Sequence, residues 1–157
     1  MEIPKNIVTI LKKMADPKVN EFEFWNYLDG MDLTEKFFEL SSQMMINAIN
    51  FDKLPKGYRL ATYIYYWETN CQFSGWYALE NLSSELNEIT RSYEDVGLTE
   101  EANSICKAAE VWNAETQNYD AVNVAYQSTS NPYSEENLRW EYLNQFFKKN
   151  ASSLFYN

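Results

Sequence analysis

Tyr63-Ile-Tyr-Tyr-Trp-Glu-Thr-Asn-Cys-Gln-Phe-Ser-Gly-Trp76 is the stretch on which the reading of this chain turns. With Leu60 and Ala61 before it, the run places Ile64, Trp67 and Cys71 three or four residues apart, the spacing of one helix face. The same run carries Glu68, Asn70 and Gln72 among its rings. Polar groups in such company are either satisfied inside a packed joint or presented to a ligand. Asn70 is expected to cap or end the aromatic helix, with Glu68 bonding to backbone at that break. The ligand alternative is a small cleft built from Tyr65, Tyr66, Trp67, Glu68, Asn70, Gln72 and Trp76. A homodimer interface is a third use for exposed rings, because aromatics are enriched at interfaces.

Outward from this run the pattern stays helical. Toward the N-terminus, Ile3, Ile7, Ile10, Leu11 and Met14 repeat at helical spacing, and Asp16-Pro17 ends that segment. Val19, Phe22, Trp25 and Leu28 read as a short second helix closed by Gly30. Phe37, Phe38, Met44, Met45, Ala48 and Ile49 form one stripe. Its start is marked either by Asp32 with Glu35 as a capping box or by Thr34 with Leu33 and Phe38 as a staple. Leu54-Pro-Lys-Gly57 breaks the chain before the aromatic helix. Beyond it, Leu82, Leu86, Ile89, Tyr93 and Val96 alternate by four and three up to Gly97, a helix stop. Thr99 is expected to cap the next helix, whose inner face reads Ala102, Ile105, Ala109, Trp112 and Tyr119. Gln127 to Pro132 is a polar loop, and Ser134-Glu-Glu leads into Leu138, Tyr142, Phe146 and Phe147. No period-two pattern competes, so the expected fold is an all-α, single-domain bundle of about seven helices.

Composition narrows the chemistry. The 157 residues contain no histidine, which removes Ser-His-Asp and Cys-His catalysis and the histidine-based zinc and di-iron motifs. No glycine-rich phosphate loop is present. Cys71 and Cys106 are isolated and are expected to be buried free thiols, with no metal and no cofactor. The remaining route to an enzyme is a carboxylate pair, with Glu68 and a second acid between aromatic platforms. Aromatics at helical spacing more often build a core, so no catalytic activity is expected. No apolar run approaches the roughly 20 residues that span a bilayer, and no leader pattern is seen at the N-terminus. A cytoplasmic location is the expectation.

The net charge of −10 is unevenly spread. Residues 60–141 hold fourteen acidic groups against Arg91, Lys107 and Arg139, whereas residues 1–59 nearly balance with nine acidic and eight basic groups. Such a field disfavours nucleic acid and anionic membrane and favours a basic protein partner. Carboxylates that the helical stripes leave outside are the candidate partner-binding residues: Glu80, Glu85, Glu88, Glu94, Asp95, Glu100, Glu101, Glu110 and Glu115.

Residues 60–112 resemble the core of a bacterial DNA-mimic-like family, an all-helical domain of unknown function. Asn70-Cys-Gln-Phe73 stands where that family carries Asn-Gly-Gly-Phe, and Trp76 takes the closing aromatic. Tyr93-Glu-Asp-Val-Gly-Leu-Thr-Glu-Glu-Ala102 stands at the turn between the paired helices. Both family glycines are replaced, by Cys71 and Gln72, and Gly75 stands where the family has Gln. The resemblance implies an acidic helical surface that occupies the DNA-binding face of a regulator or nuclease. Side chains three or four apart on a helix lie about 5–6 Å from each other, comparable to phosphate spacing. It also implies a family-like core over 60–126, set between the N-terminal helices that the pattern places in 1–59 and the C-terminal helix and tail of 133–157.

Overall fold

The computed structural model describes residues 2–14, 31–115 and 117–157. It is all-α, as the periodicity indicates. Among the described residues there are nine helices: α1 (Val8–Met14), α2 (Met31–Ile46), α3 (Lys56–Ser74), α4 (Ala78–Asn81), α5 (Leu86–Asp95), α6 (Thr99–Ala114), α7 (Tyr119–Tyr126), α8 (Glu136–Lys149) and α9 (Ala151–Phe155). Short 3₁₀ turns precede α3 and α4. The helix expected over Val19 to Leu28, with its stop at Gly30, and the Asp16-Pro17 break lie outside the described residues. No helix among the described residues is long and apolar enough to cross a membrane.

The helices group into two compact units, residues 66–139 and the rest of the chain. The unit formed by residues 1–65 and 140–157 is organised by rings. Phe37 stacks on Tyr65 at 4.9 Å between centroids and also meets Phe147 and Phe155. All four side chains are fully buried, each worth about 1.5–3 kcal/mol of burial. Several polar side chains in this core pair across it. The Tyr58 hydroxyl donates to the Phe155 carbonyl at 2.7 Å. Asn144 donates to the Thr34 hydroxyl at 2.9 Å and accepts from the Tyr65 hydroxyl at 3.2 Å. Gly57 lies against Leu154, where any Cβ would collide with the Leu154 carbonyl oxygen. The Asn157 amide donates to the Glu2 carbonyl, tying the two ends of the chain.

Three sequence expectations are corrected here. The helix α2 is already running at Met31, so Asp32 and Thr34 both lie inside it, and Thr34 is buried. Its expected stripe stops short of Ala48, which is exposed at φ +47°. There the Ile49 amide bonds back to the Met44 carbonyl and the Ala48 amide to the Met45 carbonyl, a left-handed helix stop built without glycine. In α8 the buried face is Trp140, Leu143, Asn144 and Phe147, while Leu138 is exposed and Tyr142 and Phe146 are half-buried. The buried stripe is therefore rotated from the one the aromatics suggested.

The unit formed by residues 66–139 contains α4 to α7 with the second half of α3 and the first residues of α8. Helix α6 packs against α5 and α7 through Ala102, Ile105, Ala108, Ala109 and Trp112, all buried. Leu82, Ile89, Tyr93 and Val96 are buried as the spacing predicts, whereas Leu86 is only half-buried. Gly97, at φ +89°, lets the Leu98 amide reach the Tyr93 carbonyl and closes α5. Thr99 is the first residue of α6 rather than its cap; Leu98 stands at the cap position without a side-chain bond. Tyr119 leaves the α6 face and begins α7, capped by Asn118, whose side chain accepts from the Ala121 amide at 3.1 Å. Tyr77, Trp112 and Tyr119 form a ring cluster with centroids 5.2 to 6.0 Å apart.

Candidate ligand-binding cleft

The expected break at Asn70 is absent: α3 continues to Ser74, so Asn70, Cys71, Gln72 and Phe73 are all helical. The helix turns at Gly75, φ +55°, and Trp76 follows in a 3₁₀ turn. Because α3 is unbroken, Glu68 keeps the register of Ala61, Ile64 and Cys71 and faces inward, only 2% exposed. Its partners are side chains rather than backbone. Arg139, from the first turn of α8, grips it with two bonds, Nε to Oε1 at 2.5 Å and Nη2 to Oε2 at 2.7 Å. The Tyr93 hydroxyl of α5 donates to the same Oε1 at 2.5 Å. The remaining guanidinium nitrogen, Nη1, donates to the carbonyls of Tyr133 and Ser134. Two-pronged Arg–carboxylate pairing fixes geometry as well as charge.

A second carboxylate lies beside this pair. Glu101, expected on the outside as a partner-binding residue, is instead 2% exposed. Three residues before Ser104 and four before Ile105, it shares their buried face, and this register outweighs its polarity. Its oxygens accept from the Tyr126 hydroxyl at 2.9 and 2.7 Å and from Asn131 Nδ2 at 2.6 Å, and Arg139 Nε is 4.0 Å away. Burial pushes the Glu101 carboxyl above its ordinary value, and Glu68 adds to this, while Arg139, Tyr126 and Asn131 pull it back. For Arg139, burial works against the charge, but Glu68 and Glu101 outweigh it and hold the guanidinium firmly protonated. Burial first, then Glu68, raises the Cys71 thiol and the Tyr93 hydroxyl well above their ordinary values, so both stay protonated at neutral pH.

Glu68, Cys71, Glu101 and Arg139 line a cleft of about 850 Å³ contained in this unit. Its walls are Trp67, Trp76, Tyr119 and Tyr126, with Trp76 and Tyr126 5.2 Å apart between centroids. Asp120 and Glu136 line it from exposed positions, Glu136 accepting from Gln72 Nε2 at 2.9 Å. Of the residues expected to build a cleft, Trp67, Glu68, Gln72 and Trp76 line this one. Tyr65 is instead in the ring core of the other unit, Tyr66 is not a lining residue, and Asn70 accepts a bond from Asn81. Sequence reasoning missed Glu101, Tyr126 and Arg139. The register of Glu101 was a usable signal; nothing local announces that Arg139 meets a residue 71 positions earlier.

Six of the remaining partner-binding candidates lie outside, and two lie partly covered. Glu80, Glu94, Asp95, Glu100, Glu110 and Glu115 are exposed, and Glu85 and Glu88 are half-buried. Of the free cysteines, Cys71 is half-buried and lines the cleft, while Cys106 is exposed rather than buried. The segment Tyr93 to Ala102 does span the α5–α6 reversal. In comparisons with known proteins, no family model, no curated protein and no solved structure matches the chain.

Proposed function

We propose that residues 66–139 form a binding module that takes a small ligand in the aromatic, carboxylate-bearing cleft and performs no covalent step on it. The observation that carries this reading is the convergence of four rings and a hydrogen-bonded polar floor on a cavity of about 850 Å³. That size falls within the roughly 300–1,000 Å³ of small-molecule sites, which combine apolar walls with a few placed polar groups. Glu68 supports binding over hydrolysis, because both its oxygens are committed to Arg139 and Tyr93 and it is no free nucleophile. The test is a ligand screen read by the indole N–H signals of Trp67 and Trp76 and by melting temperature. A true ligand shifts both, and Trp76→Ala abolishes the response. A screen in which no compound perturbs either indole overturns the reading.

A second reading is favoured by the exposed acids on α5 and α6, in a cytoplasmic setting. Glu94, Glu100 and Glu110 would meet a basic protein surface, including the DNA-binding face of a regulator, in the manner of a DNA mimic. Reversing these three to Lys then slows association and abolishes its salt sensitivity, since such charges act mainly on the on-rate. A partner that binds equally well to the reversed variant, and alongside DNA, removes this reading.

A further inference from the structure

Resting on the cleft reading above, we infer that the ligand is a small organic cation, an ammonium group carried on an apolar body. The charge lining the cleft is unbalanced: Glu68, Glu101, Asp120 and Glu136 face Arg139, which is the one cationic side chain among the described lining residues. The imbalance extends to the floor, where two carboxylates buried to 2% exposure share that single guanidinium. Arg139 offers little to an anion, because four of its five N–H groups are directed at Glu68 and at two backbone carbonyls. An anionic ligand would therefore enter a negative cavity whose one cation is already engaged by carboxylates. A neutral ligand would leave the charge as it stands. A cation offsets it, and the walls suit one: the faces of Trp and Tyr attract ammonium groups through their ring quadrupoles, most strongly where water is excluded.

The parts divide the work. Trp76 and Tyr126 offer the ring surfaces, while the exposed Asp120 and Glu136 supply carboxylates to pair with the ammonium charge. Glu101, buried at the floor with its oxygens held by Tyr126 and Asn131, supplies mainly field. The same ammonium chemistry could arrive as a free amine or as a lysine side chain of a peptide. The cavity volume accommodates either.

The test titrates the full-length protein with benzyltrimethylammonium, spermidine, a short acetylated and amidated Gly-Lys-Gly peptide, benzyl alcohol and benzoate, following the Trp67 and Trp76 indole signals. The ammonium probes should shift Trp76 at concentrations at least tenfold below the alcohol and benzoate. Preference for spermidine over the peptide, or the reverse, identifies the source. Asp120→Asn with Glu136→Gln should weaken the ammonium probes about two- to tenfold, the range for exposed charge pairs. Glu94→Gln with Glu110→Gln removes the same charge away from the cleft and should leave their affinity unchanged, which separates a site from general attraction to an acidic protein. Because Glu101→Gln alters a buried group, the exposed pair carries the test. If benzyl alcohol or benzoate shifts Trp76 as readily, the cleft binds ligands but the cation assignment is wrong. Equal weakening by the two double variants also overturns it. If no probe and no compound of the wider screen moves either indole, the cleft reading itself fails.

Discussion

At Arg139 one guanidinium answers two buried carboxylates, and the consequences of removing it follow from charge burial. Arg139→Leu leaves Glu68 and Glu101 without their cation and should cost about 3–5 kcal/mol of unfolding free energy in urea. Glu68→Leu with Arg139→Leu should cost clearly less than the two single losses combined, because the double change leaves no orphaned partner of the pair. Additive losses would mean that the two side chains act independently. Glu101 has a separate pH signature. Its folded-state value is raised from 4.5, so folding makes its ionisation harder than in the unfolded chain. A raised group contributes stability that is fully present below the unfolded value and is lost as pH rises through the folded value. The stability of the wild-type chain relative to Glu101→Gln should therefore fall as pH climbs from about 4.5 toward neutrality. A flat difference in urea midpoints across that window would contradict the assignment.

At the scale of elements, the two left-handed helix stops give opposite expectations. Gly97 ends α5 at φ +89°, where a Cβ costs about 1–2 kcal/mol, so Gly97→Ala should destabilise by that amount. Ala48 ends α2 at φ +47° and already bears that cost. Ala48→Gly should change stability in the favourable direction, by up to about 1 kcal/mol after the added freedom of the unfolded chain is set against it. Along α5 and α6, depth of burial decides the size of a truncation. Ile105→Ala, at a fully buried site, should cost about 2–5 kcal/mol, whereas Leu86→Ala at a half-buried one should stay near 1 kcal/mol. Equal losses would show that α5 begins deeper in the core than its exposure indicates. The helices themselves were legible because their stripes repeat over several turns. Their ends were less so, since Thr99 and Asn70 have cap chemistry but lie at helical positions.

For the molecule as a whole, charge follows the two compact units. Residues 66–139 hold thirteen acidic and three basic groups, while the remaining residues hold ten of each, so the whole net charge of −10 belongs to the cleft-bearing unit. Like charge at that density opposes compaction, and sodium chloride screens it over about 10 Å at 0.1 M. The melting temperature should therefore rise from salt-free buffer to about 0.1 M salt. Glu94→Lys with Glu110→Lys should raise it in the absence of salt and flatten that dependence. A melting temperature that falls with added salt would mean that attractive pairs at the surface, such as Lys36 with Glu39, dominate the charge balance.

By itself the sequence determined the helical class, most of the inward faces of α3, α5 and α6, the stop at Gly97 and the concentration of acid in the second half of the chain. These properties are local: they depend on spacing along one helix or on composition, and neighbouring residues suffice to read them. Only the tertiary structure decided which polar residues go inside. Glu101 looked like one more surface acid until α7 and the loop after it brought Tyr126 and Asn131 to its oxygens. Arg139 became the key cation of the cleft only because α8 meets α3 across 71 positions of chain. A buried charge is tolerated when its partners are in place, and partners that distant in sequence leave no periodic trace.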